Sequence, residues 1–130
     1  MQVSKKSQYG LRAMVYLAKN SKKDKVCSIK KISESEGIPF DFLEKIFSEL
    51  EKGDLIKAKK GSQGGYYLNK KLKQITVGKI VRILEKTTKP VKCAGCARAG
   101  ECMTKSTWQE VGQSLDETLD SISLEDIINK

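Results

Sequence analysis

Apolar residues return every three or four positions through most of this chain, and the places where that rhythm fails mark its joints. Tyr9, Ala13, Met14, Leu17 and Ala18 share one face of a first helix, with Ser4 or Ser7 as its cap, until the polar run at 20–24 ends it. Val26 and Cys27 make a short β-prone stretch. Ser28 then fits the N-cap of a short helix carrying Ile29 and Ile32, which Gly37 terminates. Pro39 suits the first position of the next helix, where its missing N–H costs nothing. Phe40, Leu43, Ile46, Phe47 and Leu50 are the expected buried stripe of that helix, and Gly53 its stop.

Two short helices joined by a tight glycine-containing turn are the helix-turn-helix pattern. Residues 55–60 then read as a strand, residues 61–65 as a glycine-rich tip and residues 66–69 as the returning strand, so a basic hairpin follows directly. Thr76 caps an amphipathic helix with Val77, Ile80, Val81 and Leu84. A loop over 86–103 holds the clustered cysteines. A long helix over about 105–122 places Trp108, Val111, Leu115 and Ile122 at heptad-like spacing with Leu119 alongside. Ser123 and Asp126 form the outline of a capping box for a short last helix.

The expected fold is mainly α with a small β-hairpin wing: a winged helix-turn-helix with a long C-terminal dimerisation helix. Residues 1–85 would be the DNA-binding domain, 86–103 the cysteine loop, and 104–130 the dimerisation helix and tail. The stripe on the long helix also admits packing within one subunit.

Charge sharpens this outline. Residues 1–92 hold 22 Lys and Arg against 9 Asp and Glu, whereas the remainder holds 3 against 7. So lopsided a chain favours a polyanionic partner for its first part, either nucleic acid or an anionic membrane surface, with a solvated basic face that has no partner as the alternative. No apolar run approaches the ~20 residues of a membrane span, and the first residues lack a secretory h-region. The expected location is therefore the cytoplasm, with no membrane partner. Without histidine, a nucleophile elbow or a Walker-type phosphate loop, the chain has little to support an enzyme.

A helix-turn-helix points the first turns of its second helix at base edges. Here those turns carry Pro39, Phe40, Asp41, Glu44 and Lys45. Phe40 or Phe42 can touch a thymine methyl, Glu44 can accept from cytosine N4, and Lys45 can reach guanine or phosphate. Glu44 and Asp41 also suit plain solvated first-turn acids, and Phe42 a core position. Ser28, Lys30 and Lys31 open the supporting helix, where N–H groups and cations both favour phosphate. Lys57, Lys59 and Lys60 lead into the wing tip Gly61, Ser62, Gln63 and Gly64, whose small residues allow close approach to DNA.

Three of the four cysteines, Cys93, Cys96 and Cys102, fall within ten residues. Thiolates in a glycine-containing loop, with Lys92, Arg98 and Lys105 nearby, suit an iron–sulfur cluster, with a zinc site, a Cys93–Cys96 dithiol switch and inert thiols as alternatives. Three thiols leave a fourth ligand unspecified. Cys27 stands apart and reads as a small buried residue.

Taken together, Tyr9-Gly-Leu-Arg-Ala-Met-Val-Tyr-Leu-Ala18, Ile32-Ser-Glu-Ser-Glu-Gly-Ile-Pro39, Phe42-Leu-Glu-Lys-Ile-Phe47, Gly61-Ser-Gln-Gly-Gly-Tyr66 and Cys102-Met-Thr-Lys-Ser-Thr-Trp108 resemble the Rrf-two, or IscR-type, bacterial transcription regulators over nearly the whole chain. The resemblance implies a homodimer paired through the long helix and bound to a palindromic operator. It also implies that Cys93, Cys96 and Cys102 hold a 2Fe–2S or 4Fe–4S cluster, and that Glu44 and the wing help read double-stranded DNA. The sense of regulation expected is repression, tuned by cluster or thiol redox state. Two departures stand out. The first gap between cysteines is two residues, narrower than is usual in the family, and Lys105 stands where IscR-type members place a ligating histidine. The resemblance also admits cluster-free members controlled by a partner protein or small molecule. An iron–sulfur or zinc assembly protein without DNA binding is the rival from another class.

Overall fold

The computed structural model describes residues 2–91 and 100–130; Met1 and residues 92–99, which include Cys93 and Cys96, lie outside the described residues. The elements run α1 (Lys5–Asn20), α2 (Ile29–Glu36), α3 (Phe40–Lys52), β1 (Ile56–Lys59), β2 (Gly65–Leu68), a 3-10 turn (Leu72–Gln74), α4 (Val77–Leu84), α5 (Lys105–Ser121) and α6 (Leu124–Ile128). This is the expected mainly helical fold with a two-stranded antiparallel hairpin.

Hydroxyl caps set most helix starts. Ser4, Ser28, Thr76 and Ser123 each accept a hydrogen bond from the N–H three residues on, relieving one orphan donor at the mouth of α1, α2, α4 and α6. The box at Ser123 is complete, because Asp126 accepts the Ser123 N–H in return. Gly37 closes α2 at φ 65°, a left-handed conformation that glycine adopts without strain. After α3 the left-handed residue is Asp54, at φ 65°, whose backbone and carboxylate oxygens both accept from the Asn69 side chain.

One core joins the helices. Ala13, Met14 and Leu17 of α1, Ile32 of α2, and Leu43, Ile46, Phe47 and Leu50 of α3 are fully buried and meet Ile80 and Leu84 of α4. Gly10 lets α1 and α4 approach closely, since a Cβ there would lie 2.2 Å from the Leu84 side chain. The C-terminus also belongs to this body: Leu124 is fully buried, α6 packs on α1 and the 3-10 turn, and Leu124 N–H donates to Ile75 O at 2.9 Å.

Three expectations need correction. Phe40 is 43% exposed and outside the buried stripe, because it is the first residue of α3 and lies off the face defined by Leu43, Ile46, Phe47 and Leu50. Pro39 is the N-cap rather than the first helical residue. Gly65 belongs to the returning strand, paired with Lys59, and not to the tip. The 3-10 turn has no periodicity to betray it; Lys71 N–H donating to the Gln74 side chain stabilises it locally.

The N-terminal turn of α1 is fastened to the end of α4. The Glu85 carboxylate accepts from the Ser4 N–H, the Ser4 hydroxyl and the Ser7 hydroxyl. These bonds, the Ser4 hydroxyl foremost and the Ser7 hydroxyl next, hold its pKa below the ordinary glutamate range against a smaller opposing effect of burial. A carboxylate whose native pKa is depressed adds stability that is full above the unfolded-state pKa and lost as pH falls through the native one. Glu85→Gln should therefore lower stability at pH 7 by about 1–3 kcal/mol. Thermal unfolding of both proteins across pH should show the gap closing below pH ~4; a constant gap would mean that the charge is irrelevant.

Candidate nucleic-acid interface and thiol segment

The interface is assembled around one pair of backbone hydrogen bonds. Cys27 N–H donates to Tyr66 O at 3.0 Å, and Tyr66 N–H donates to Cys27 O at 2.8 Å, so Cys27 adds a third rung beside the hairpin. Ser28, the cap of α2, is the next residue. The same bridge thus fixes the root of the wing and the mouth of α2. Gly65 makes it possible, since a Cβ at that position would sit 2.5 Å from the Cys27 carbonyl. Cys27 itself is buried, and burial pushes its thiol pKa up, as suits an inert core residue.

The Tyr66 ring meets Phe47 edge-on, with centroids 4.9 Å apart, which ties the wing to α3. Burial, then the charges of Glu51 and Glu44, raise the Tyr66 pKa, so its phenol stays neutral. On the other flank of α3, Phe42 is 37% exposed and takes the Tyr9 ring edge-on at 5.6 Å. Arg12 of α1 donates to the Glu36 carbonyl and pairs with its carboxylate, clamping the turn before α3.

Held in this frame, Lys30, Lys31, Pro39, Phe40, Asp41, Glu44 and Lys45 are all exposed, as are Lys57, Lys59, Lys60, Gly61, Ser62 and Gln63 of the wing. Ser28 is half-buried with its hydroxyl committed to the Lys31 N–H. Gly61 has φ 122°, and Gly64 N–H donates to Gly61 O to close the tip. Gly64 is half-buried and packs where a Cβ would come within 2.4 Å of Lys59 O. The Cys27–Tyr66 bridge thus sets the mouth of α2 beside the root of the wing, the Tyr66–Phe47 contact sets the wing against α3, and exposed lysines stand on all three elements. Sequence periodicity singled out only the first turns of α3; Ser48 and Lys52, two and three turns on along its outer face, are exposed as well.

Of the three clustered cysteines only Cys102 is described. It is half-buried just before α5, and its Sγ lies 3.1 Å from Thr104 Oγ1. That hydroxyl first, then the N–H groups of Thr104 and Lys105, lower its pKa and favour the thiolate. Cys93 and Cys96 lie outside the described residues. Among the described residues no three metal-ligating side chains gather.

The long helix leaves most of itself to solvent. None of its 17 residues is buried; Trp108 and Leu115 are 38% and 37% exposed, and Val111, Leu119 and Ile122 half-buried. It packs against α4 through Arg82, whose guanidinium makes two bonds to Asp120 at 2.6 and 2.8 Å and lies 3.6 Å from Asp116. Leu115 and Leu119 also line a cavity of about 350 Å³ with Val3, Val81, Glu85 and Pro90.

A helix-turn-helix with an attached hairpin, backed by a long C-terminal helix, defines a winged-helix regulator. The profile of the Rrf2 family, described as iron-dependent transcriptional regulators, matches residues 3–130, and the chain belongs to that family. It is 32% identical over 132 residues to the HTH-type transcriptional regulator IscR of Cronobacter sakazakii, covering 99% of this chain and 81% of that protein. Among solved structures it is similar to T. potens IscR (36% identity, TM-score 0.81, covering 99% and 87% of the two chains). It is also similar to CymR, the global cysteine regulator of B. subtilis (32% identity, TM-score 0.84, covering 98% and 95%). The chain is a transcriptional regulator of the IscR and CymR type, and not an enzyme. Among the described residues no helix is long and apolar enough to cross a membrane.

Gly65→Ala should force the wing away from Cys27. A loss of about 1–3 kcal/mol in thermal stability is expected, together with weaker DNA binding; a variant with native stability and affinity would show that the bridge is dispensable.

Proposed function

We propose that the chain is a homodimeric repressor that binds a palindromic operator and changes its affinity with an iron–sulfur centre on Cys93, Cys96 and Cys102. The observation that carries the DNA half is the joining of the mouth of α2, the wing and α3 through the Cys27–Tyr66 bridge and the Tyr66–Phe47 contact, with exposed lysines on all three. Glu44 would meet a base edge, Lys30, Lys31 and Lys45 phosphates, and Lys59 to Gly64 the neighbouring groove. The dimer is supported by α5, a 17-residue helix with no buried residue and an exposed tryptophan and leucine, which a second copy would cover. Trp108, Val111, Leu115, Leu119 and Ile122 would supply that contact.

The donor chemistry at Cys102 suits the cofactor. Its thiolate is favoured by donors at the start of α5, and a thiolate is the form that ligates iron. Bound there, an iron–sulfur centre would supply a reversible, oxidant-sensitive change of charge. Cys102 leads into α5, α5 is held by Arg82 of α4, and Glu85 at the end of α4 holds Ser4 and Ser7 of α1. Arg12 and Tyr9 of α1 in turn touch the turn before α3 and Phe42. This run of contacts is a physical route from the cysteines to the reading helix, over which a coupling of about 1–3 kcal/mol would change operator occupancy usefully. The cluster-free reading is supported by the narrow Cys93–Cys96 gap.

The protein purified without oxygen should be brown, with broad sulfur-to-iron bands that Cys102→Ser weakens or abolishes; a colourless protein would favour the cluster-free reading. Binding to an operator selected from random duplexes should fall steeply with salt, and should differ with and without the centre. Lys60→Ala should weaken every sequence alike, whereas Glu44→Ala should relax preference at one base pair.

A further inference from the structure

We propose that α3 carries a second phosphate seat on its outer flank beyond the base-reading turns, formed by Lys45, Ser48 and Lys52, and that it grips the strand opposite the one held at the mouth of α2. This inference rests on the DNA-binding reading above. Residues 45, 48 and 52 are spaced by three and four, so they form one stripe on a helix, about 10 Å from end to end. The stripe faces away from the core defined by Leu43, Ile46, Phe47 and Leu50, and all three residues are exposed. Lys6, Pro39, Asp41, Phe42 and Glu49 complete a groove of about 640 Å³ beside it.

Charge within the groove is sorted. Lys6 of α1 reaches across to Glu49, its Nζ 2.6 Å from the carboxylate oxygens, and this offsets the acid that lines the groove with Ser48. Among the described residues neither Lys45 nor Lys52 is in an ion pair. Asp41 stands at the other end of the groove, in the first turn of α3, where a carboxylate is favoured by the helix dipole and repels phosphate. The polarity is therefore acid at the end that meets bases and cations with a hydroxyl at the end that leaves the groove. A recognition helix in the major groove has a backbone on each side. The wing, joined to the mouth of α2 by the Cys27–Tyr66 bridge, meets α3 at Phe47. The groove beside the Lys45–Ser48–Lys52 stripe is closed from α1 by Lys6 and runs along Phe42 instead, so the stripe would serve the other backbone, and two lysines with a hydroxyl between them are phosphodiester-binding chemistry.

The test uses the full chain with two probes, a random-sequence duplex and an operator selected by the wild-type protein, each titrated across salt. Lys52→Ala should reduce the magnitude of the log K against log salt slope by about 0.9, and Lys45→Ala/Lys52→Ala by about 1.8. Lys52→Ala should weaken both duplexes by the same factor, and Ser48→Ala should weaken both without changing the slope. Glu49→Gln, which frees Lys6, should tighten both. Circular dichroism checks that each variant folds. Unchanged slopes in folded variants that still bind would overturn the seat while leaving the DNA reading intact. A loss confined to the operator would also overturn it, since the stripe would then read bases, and so would a change in oligomeric state with unchanged slope. If the wild-type protein shifts neither duplex, the DNA reading fails first.

Discussion

Two backbone hydrogen bonds between Cys27 and Tyr66 determine where every part of the interface points. They lie at the junction of the α1–α2 connection and the returning strand of the wing. From that junction Ser28 opens α2, Tyr66 leans on Phe47 of α3, and β1 follows in register with β2. A two-stranded hairpin is only marginally stable in water by itself. Here it borrows a third partner from the body and an aromatic contact from the reading helix, so the wing is fastened to both. Glycine at 65 is the steric condition for that arrangement, and a buried, protonated Cys27 is its packing counterpart.

α1 serves as the common frame. Its buried face joins α3 and α4, while its exposed side carries the contacts that orient the interface: Lys6 on Glu49, Tyr9 on Phe42 and Arg12 on the end of α2. Its first turn answers to Glu85, the last residue before the chain leaves for the cysteines. The groups that connect the two candidate sites are mostly polar and half-exposed, whereas the groups that hold the fold are apolar and fully buried. Stability and signalling thus rest on different residues, and one can change without dismantling the other.

The fold was largely legible because its signals are local and mutually consistent. Hydroxyl caps, the glycine after α2 and the three- and four-residue spacing of large apolar residues each have a direct physical reading, and the structure uses them as such. What escaped was set by distance in the chain. Nothing near residue 124 announces that Leu124 returns to the first helix, and no local pattern shows that Gly65 faces Cys27 rather than solvent. Phe40 differs from its spacing because helical periodicity assigns a face but not where the neighbouring elements stop covering it. The reading surface was visible in outline as lysines near a helix mouth and a wing tip. Its extent along α3 required the core direction, which only the packed structure supplies. The family's cysteine pattern was legible as chemistry; its geometry at Cys93 and Cys96 lies outside the described residues.

The way α5 is mounted has a mechanical consequence. Its grip on the body is concentrated near its C-terminal end, through Arg82 with Asp116 and Asp120 and through the Val77 N–H on the Ile122 carbonyl. Seventeen residues of helix extend about 25 Å. Cys102 sits at the far tip, so the helix is a lever with its pivot at one end and its thiol at the other. A displacement of Cys102 by about an ångström about that pivot corresponds to a tilt of only about two degrees, met where Arg82 holds Asp116 and Asp120 and where Leu115 and Leu119 face Val81.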